Sequence, residues 1–266
     1  MTWVPRRKVP TIVTLHDVWP FVSPAPDRRR RSREQSHYLT AAANADRFIA
    51  VSRFTAREAA SYLHVDPARI DVVPNGVDRL DDAADAPAHV DGVDRYLLFV
   101  GEVEPRKGVD TLIDAMSMLP EVLRRTTALV IAGRSRGRRG AAHRDMRIEW
   151  TGEVSDARLA SLYAGAGAFV FPSRYEGFGL PVLEAMRYGA PVVASDAAAI
   201  PEAAGDAALY FPSGDAAALS RAIERVLTDD GLSTSLAAAG RERATAMTHE
   251  RCARETLEVF ERVVKA

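Results

Sequence analysis

Cysteine is almost missing from this sequence: Cys252 stands alone among 266 residues, which excludes an internal disulfide and fits a reducing, cytoplasmic setting. The six histidines, at 16, 37, 64, 89, 143 and 249, have no zinc-ligand spacing. Nowhere do eighteen apolar residues stand together, and the basic start MTWVPRRKVPTIVTLHD holds only a short apolar run, so neither a membrane span nor a signal peptide is expected. An excess of one charge is missing as well. Lys+Arg 35 balance Asp+Glu 36, which removes any global pull toward nucleic acid and makes electrostatic specificity a local matter. No G-x-G-x-x-G follows a strand, since Gly165 and Gly167 precede one, and this argues against a nicotinamide dehydrogenase. The want of any G-K-[ST] excludes a P-loop, and the want of Asp-x-Asp leaves a divalent metal site of that kind without a candidate.

What is present is a grammar of short β-branched runs alternating with longer helical patterns. TIVTL (11 to 15), RFIAV (47 to 51) and IDVVP (70 to 74) open the chain, with a helical segment at Phe54 to Leu63 between the last two. From Asp78 to Asp94 six aspartates occur without apolar periodicity, and the stretch is expected to be a solvated linker. Beyond it come YLLFVG, ALVIAG, RIEWTG, GAFVFP and PVVAS, strands of nearly continuous apolar character separated by helices, as in a parallel sheet covered on both faces. The fold class is therefore α/β, with domains expected at residues 1–92 and 93–249 and a last helical tail at 250–266. Ligands of such sheets sit at the carboxyl ends of the strands.

Two loops at those ends carry chemistry. After the strand ending at Val100, Gly101 permits a tight exit and Arg106 with Lys107 opens the next helix, a pairing suited to an anion. After AFVFP, the stretch RYEGFGLPVLEAM places Glu176 before a glycine turn and Glu184 about a turn inside the following helix. The amides of Phe178, Gly179 and Leu180 can face a phosphate there, which the carboxylates cannot bind. Their natural partners are hydroxyl groups, and a nucleotide sugar has diols on both sides of its diphosphate. Taken singly, each feature also suits a solvated surface or a helix cap.

In order and spacing these segments resemble the retaining glycosyltransferases of the GT4 group, with its E-x7-E signature in EGFGLPVLEAM and further matches at HD (16 to 17), FIAVSRFT (48 to 55), VVPNGVD (72 to 78), VGEVEPRKGVDTLIDAM, GAPVVASD and the tail RCARETLEVFERV. The resemblance implies a GT-B architecture: a complete C-terminal Rossmann-like domain and, because the usual opening glycine loop has no counterpart, a partial N-terminal Rossmann-like domain. It implies transfer of a sugar from a nucleoside-diphosphate sugar to a glycan or lipid-linked acceptor hydroxyl with retention and no metal or other cofactor. Arg106 and Lys107 would hold the diphosphate, Glu176 the transferred sugar and Glu184 the ribose, with Gly101 and the Phe178 to Leu180 amides beside them. Val154 would line the nucleobase pocket, His16 would face the donor sugar, the tail helix would pack on the N-terminal domain, and a hinge near 78 to 94 would close the cleft.

The EPRKG form of the first loop favours GDP-mannose, without settling nucleotide or sugar. Glu102 stands where many relatives carry arginine. The chain either belongs to a longer enzyme or folds as given and binds a donor without transferring it. The basic runs DRRRRSRE (27 to 34) and GRSRGRRG (133 to 140) lack interleaved aromatics, so nucleic acid is not expected, whereas the first suits either a solvated helix face or peripheral contact with anionic lipid at the inner membrane face.

Overall fold

The computed structural model describes residues 9–23, 28–78, 87–135 and 146–265. Much of the expected linker and hinge (79–86), most of the second basic run (136–140) and the first eight residues lie outside the described residues. The chain packs as two compact units. Its start up to Gly76, the tripeptide Glu176–Phe178 and the chain from Met247 form the first; Val77–Tyr175 and Gly179–Ala246 form the second.

The first unit holds β1 (Ile12–Leu15), α1 (Trp19–Val22), α2 (Arg28–Asn44), β2 (Arg47–Ala50), α3 (Arg53–Leu63) and β3 (Ile70–Val72). The strands pair in parallel in the order β1-β2-β3. Side chains alternate across a strand, so neighbours in β2 serve different faces. Phe48 joins Val13, Leu15, Ala41 of α2, Ala45 just beyond it, and Ala59 and Leu63 of α3 on one face. Ile49 and Val73 face the other way, where Val259 and Cys252 of the C-terminal helix (His249–Lys265) cover them. That helix is tied down by polar bonds as well: Arg262 donates to Asp71 Oδ1 at 2.8 Å and Arg251 to the Pro74 carbonyl at 2.9 Å.

The second unit runs β4 (Arg95–Val100), a 3-10 turn (Pro105–Lys107), α4 (Val109–Met118), α5 (Glu121–Thr126), β5 (Thr127–Ala132), β6 (Arg147–Gly152), α6 (Asp156–Gly165), β7 (Ala168–Phe171), α7 (Leu180–Tyr188), β8 (Val192–Ser195), α8 (Ile200–Ala204), β9 (Ala208–Phe211), α9 (Ala216–Thr228) and α10 (Asp230–Thr245). All six strands are parallel, in the order β6-β5-β4-β7-β8-β9. Leu97 and Phe99 bury one face against α4 and α9 residues such as Leu112, Met116 and Ile223. On the opposite face the Tyr96 hydroxyl donates to the Leu162 carbonyl at 2.7 Å, and Phe169 meets the Tyr163 ring edge-on at 5.6 Å.

Residues 87–90 differ from the solvated linker expected of them. Ala88 and Val90 are buried, and the Ala88 amide donates to the Ser161 carbonyl at 2.9 Å, so this stretch packs on α6 despite lacking periodicity. The chain passes into the second unit at Val77 and out of it after Ala246. The first strand of the second unit, β4, lies mid-sheet: the chain steps outward from it to β5 and β6, then crosses back to β7 on its other side and goes on to β8 and β9. Such a reversal opens a crevice at the carboxyl ends of the two central strands, and that is where the site must be sought.

Candidate functional site

The floor of the crevice is backbone. The Gly101 amide donates to the Ala132 carbonyl at 2.9 Å and the Gly133 amide to the Gly152 carbonyl at 2.8 Å, which brings the three strand exits side by side. Gly133 sits at φ 132, and a Cβ there would overlap the Gly101 carbonyl. Above these glycines lies a cavity of about 400 Å³ whose lining includes Gly101, Glu102, Arg134, Glu153, Val154 and Leu159. Arg134 and Glu153 pair at 2.7 Å on its exposed rim. The cavity thus has an apolar wall from the start of α6 and a polar mouth.

Next to it stands the short turn after β4. Pro105 pre-sets the first turn position, and Gly108 ends the turn at φ 67, a left-handed conformation that favours glycine. A Cβ at Gly108 would overlap the Pro172 carbonyl, so this turn lies directly against the exit of β7. The Arg106 carbonyl accepts from the Arg174 amide at 2.7 Å, and the Arg106 guanidinium bonds Glu104 Oε2 at 3.0 Å and the Tyr175 carbonyl at 3.3 Å. Arg106 therefore laces the two loops together. Lys107 is buried, 9% exposed, with its ammonium 5.5 Å from the centre of the Phe171 ring. A cation held on an aromatic face inside the sheet's crevice is a preorganised positive charge.

The residues of the second loop divide between the units. Glu176, 8% exposed, Gly177 and Phe178 pack in the first unit, where the Gly177 carbonyl accepts from the Ser52 and Thr55 hydroxyls at 2.6 and 2.9 Å. A Cβ on Gly177 would overlap the His16 carbonyl, while His16 itself is exposed. In the second unit Gly179 adopts φ 105 and starts α7, whose first residues are Leu180 and Pro181 and whose amino end has no side-chain cap. Structure and sequence agree on a glycine-led, proline-started helix here.

Glu184 lies one turn into α7, where the Tyr163 hydroxyl donates to its Oε2 at 2.7 Å. Burial raises the Glu184 carboxyl above the ordinary range; the Tyr163 bond opposes this and the charge of Asp156 adds to it. A carboxyl raised on folding favours the fold most when protonated, and that contribution is lost as pH rises through its folded value. Glu184→Gln is thus expected to raise the melting temperature at pH 7, with the difference from wild type shrinking as pH falls through the raised folded value and gone once pH is below the ordinary carboxylate range. Melting curves across that span check it, and a lower melting temperature for the variant at pH 7 would refute it.

Gly101 and Val154 meet at the cavity, Arg106 and Lys107 stand in the adjoining turn, and His16 lies beside the Glu176–Phe178 backbone in the first unit. Sequence reasoning did not find Tyr163 or Phe171. The former gave one signal, a tyrosine among apolar helix neighbours, whose buried hydroxyl requires a partner. Among the described residues no three His, Cys, Asp or Glu side chains group as a metal site, and no helix is long and apolar enough to cross a membrane.

A doubly wound parallel sheet with a glycine floor, paired with a second parallel-sheet unit, is the GT-B architecture of glycosyltransferases. The chain belongs to the family described as Glycosyl transferases group 1, whose profile matches residues 82–243; the Glycosyltransferase Family 4 profile matches residues 1–79. It is 38% identical over 175 residues to O-antigen chain mannosyltransferase B of Escherichia coli, covering 62% of this chain and 45% of that protein. The chain therefore spans less than half the length of this relative. Among solved structures it resembles sucrose-phosphate synthase from Thermosynechococcus elongatus, with a TM-score of 0.77, 24% identity, and 96% of this chain and 68% of that one covered. An Anabaena protein solved with UDP and glucose gives a TM-score of 0.73 at 19% identity, covering 97% and 72% of the two chains.

Proposed function

We propose that this chain binds a nucleoside-diphosphate sugar at the crevice of its second unit and transfers the sugar, with retention, to a hydroxyl of a glycan or lipid-linked acceptor. The observation that carries the reading is the buried Lys107 beside the glycine-floored cavity at the carboxyl ends of the central strands. In this reading the base occupies the cavity against Val154, and Glu184 accepts from the ribose diol. The diphosphate lies between Lys107 and the amino end of α7, and Glu176 and His16 serve the sugar.

The chemical demand is to stabilise the departing diphosphate, which a fixed cation and helix amides meet without a protein nucleophile. No metal has a role in it. The likeness to a mannosyltransferase supports mannose as the sugar, and the EPRKG loop supports GDP as the carrier. The exposed Arg29 and Arg33 of α2 suit peripheral contact with anionic lipid at the cytoplasmic face.

Thermal shift against GDP-mannose, UDP-glucose and ADP-glucose tests the binding half, because a ligand of the folded state alone raises its melting temperature. The largest shift is expected with GDP-mannose; no shift with any of the three would sink the reading. Transfer from radiolabelled donor, in this chain and in one extended upstream, tests the other half. Binding without transfer in both would leave a donor-binding module in place of an enzyme.

A further inference from the structure

Tyr163 lies wholly inside the second unit, 0% exposed, and its ring is fixed on two sides. Tyr188 stacks on it at 5.9 Å with the planes 9° apart, and Phe169 meets it edge-on at 5.6 Å. Its hydroxyl cannot swing to water, and it donates to Glu184 Oε2 at 2.7 Å, a well-formed O–H···O bond. Glutamate has three side-chain torsions, and their free rotation costs binding energy whenever a ligand must hold the group still. The bond crosses from α6 to α7 and removes that freedom before any ligand arrives. Its place relative to the cavity follows from helix periodicity. Leu159 lines the cavity, and Tyr163 is four residues further along α6, on the same face one turn on.

We infer that Tyr163 is a positioning residue for the donor: its hydroxyl fixes one oxygen of Glu184 so that the other is presented to a ribose diol. This rests on the ribose role proposed for Glu184. A tyrosine that served only to pack α6 on α7 would affect every ligand alike, whereas one that acts through Glu184 affects only ligands with ribose hydroxyls.

The test is calorimetric titration of the 266-residue chain with GDP and UDP and with their 2′,3′-dideoxy forms. Tyr163→Phe keeps both ring contacts and is expected to weaken the better-bound ribonucleotide about tenfold, the loss of one hydrogen bond to a charged group. Its dideoxy form should change less than about twofold. Equal weakening of both forms, or of neither, overturns the inference. Glu184→Ala tests the underlying reading separately: if it leaves ribonucleotide affinity unchanged, or if neither nucleotide binds the wild type, the ribose role itself fails. If Tyr163→Phe alone does not fold, the double variant with Glu184→Ala is compared with Glu184→Ala. Equal affinities are expected there because the two residues act as one unit, and a further loss for both ligand forms overturns the proposal.

Discussion

Lys107→Met is expected to lower sugar transfer by about a hundredfold to a thousandfold, the range seen when one preorganised donor to a developing anion is removed. Methionine keeps an unbranched stem to fill the space against Phe171, so the packing survives while the charge is lost. Lys107 is 9% exposed, and in such surroundings a charge acts on a neighbouring diphosphate with little screening by water. Arg106→Met should cost less in transfer. Its guanidinium already bonds Glu104 and the Tyr175 carbonyl, and removing it chiefly loosens one loop from the other. Transfer from radiolabelled donor ranks the two. If the Lys107 variant retains activity within a few-fold of wild type at an unchanged melting temperature, the diphosphate is held elsewhere.

The second large effect belongs to a residue without a side chain. Gly108→Ala is expected to destabilise the fold by about 3–5 kcal/mol, measured as a lowered midpoint in urea, because strain and overlap act together. Left-handed backbone alone costs a non-glycine residue about 1–2 kcal/mol. Gly214 isolates that part, since it sits at φ 84 and a Cβ there would meet nothing within 4 Å. The excess of Gly108→Ala over Gly214→Ala then reports the collision with the Pro172 carbonyl. Equal losses for the two variants would mean that the β4 and β7 exits do not press together as described. The same collision displaces Lys107, the residue before Gly108, so donor affinity should fall along with stability.

The parallel sheet was legible because its central strands are apolar on both faces: every residue of β5 is buried, and LVIA has no period of two to confuse with a half-exposed strand. β9 was harder to read. ALYF is four residues long at a sheet edge with two of them only partly buried, and its hydrophobic signal is that of a loop or a helix end. Of the site, the glycine turn, Arg106, Lys107 and the two glutamates could be picked out because glycine, proline and charge punctuate a sequence visibly. Tyr163 could not be paired with Glu184 in that way. Twenty-one residues separate them, and their meeting depends on how α6 and α7 lie over β7, which no local pattern encodes. Phe171 beneath Lys107 is hidden for the same reason, being one more apolar residue in an apolar strand.

The C-terminal helix has a consequence for how the molecule is made. Its Val259 and Cys252 cover one face of the β1-β2-β3 sheet, yet they are encoded after the whole of the second unit. During synthesis β1, β2 and β3 leave the ribosome ahead of the second unit and lack this cover while some 170 residues of the other unit are added, from Val77 to Ala246. Domains ordinarily complete in the order in which they emerge. Here the order is reversed between the two units: the one begun before the other is closed after it, by a helix encoded beyond Ala246.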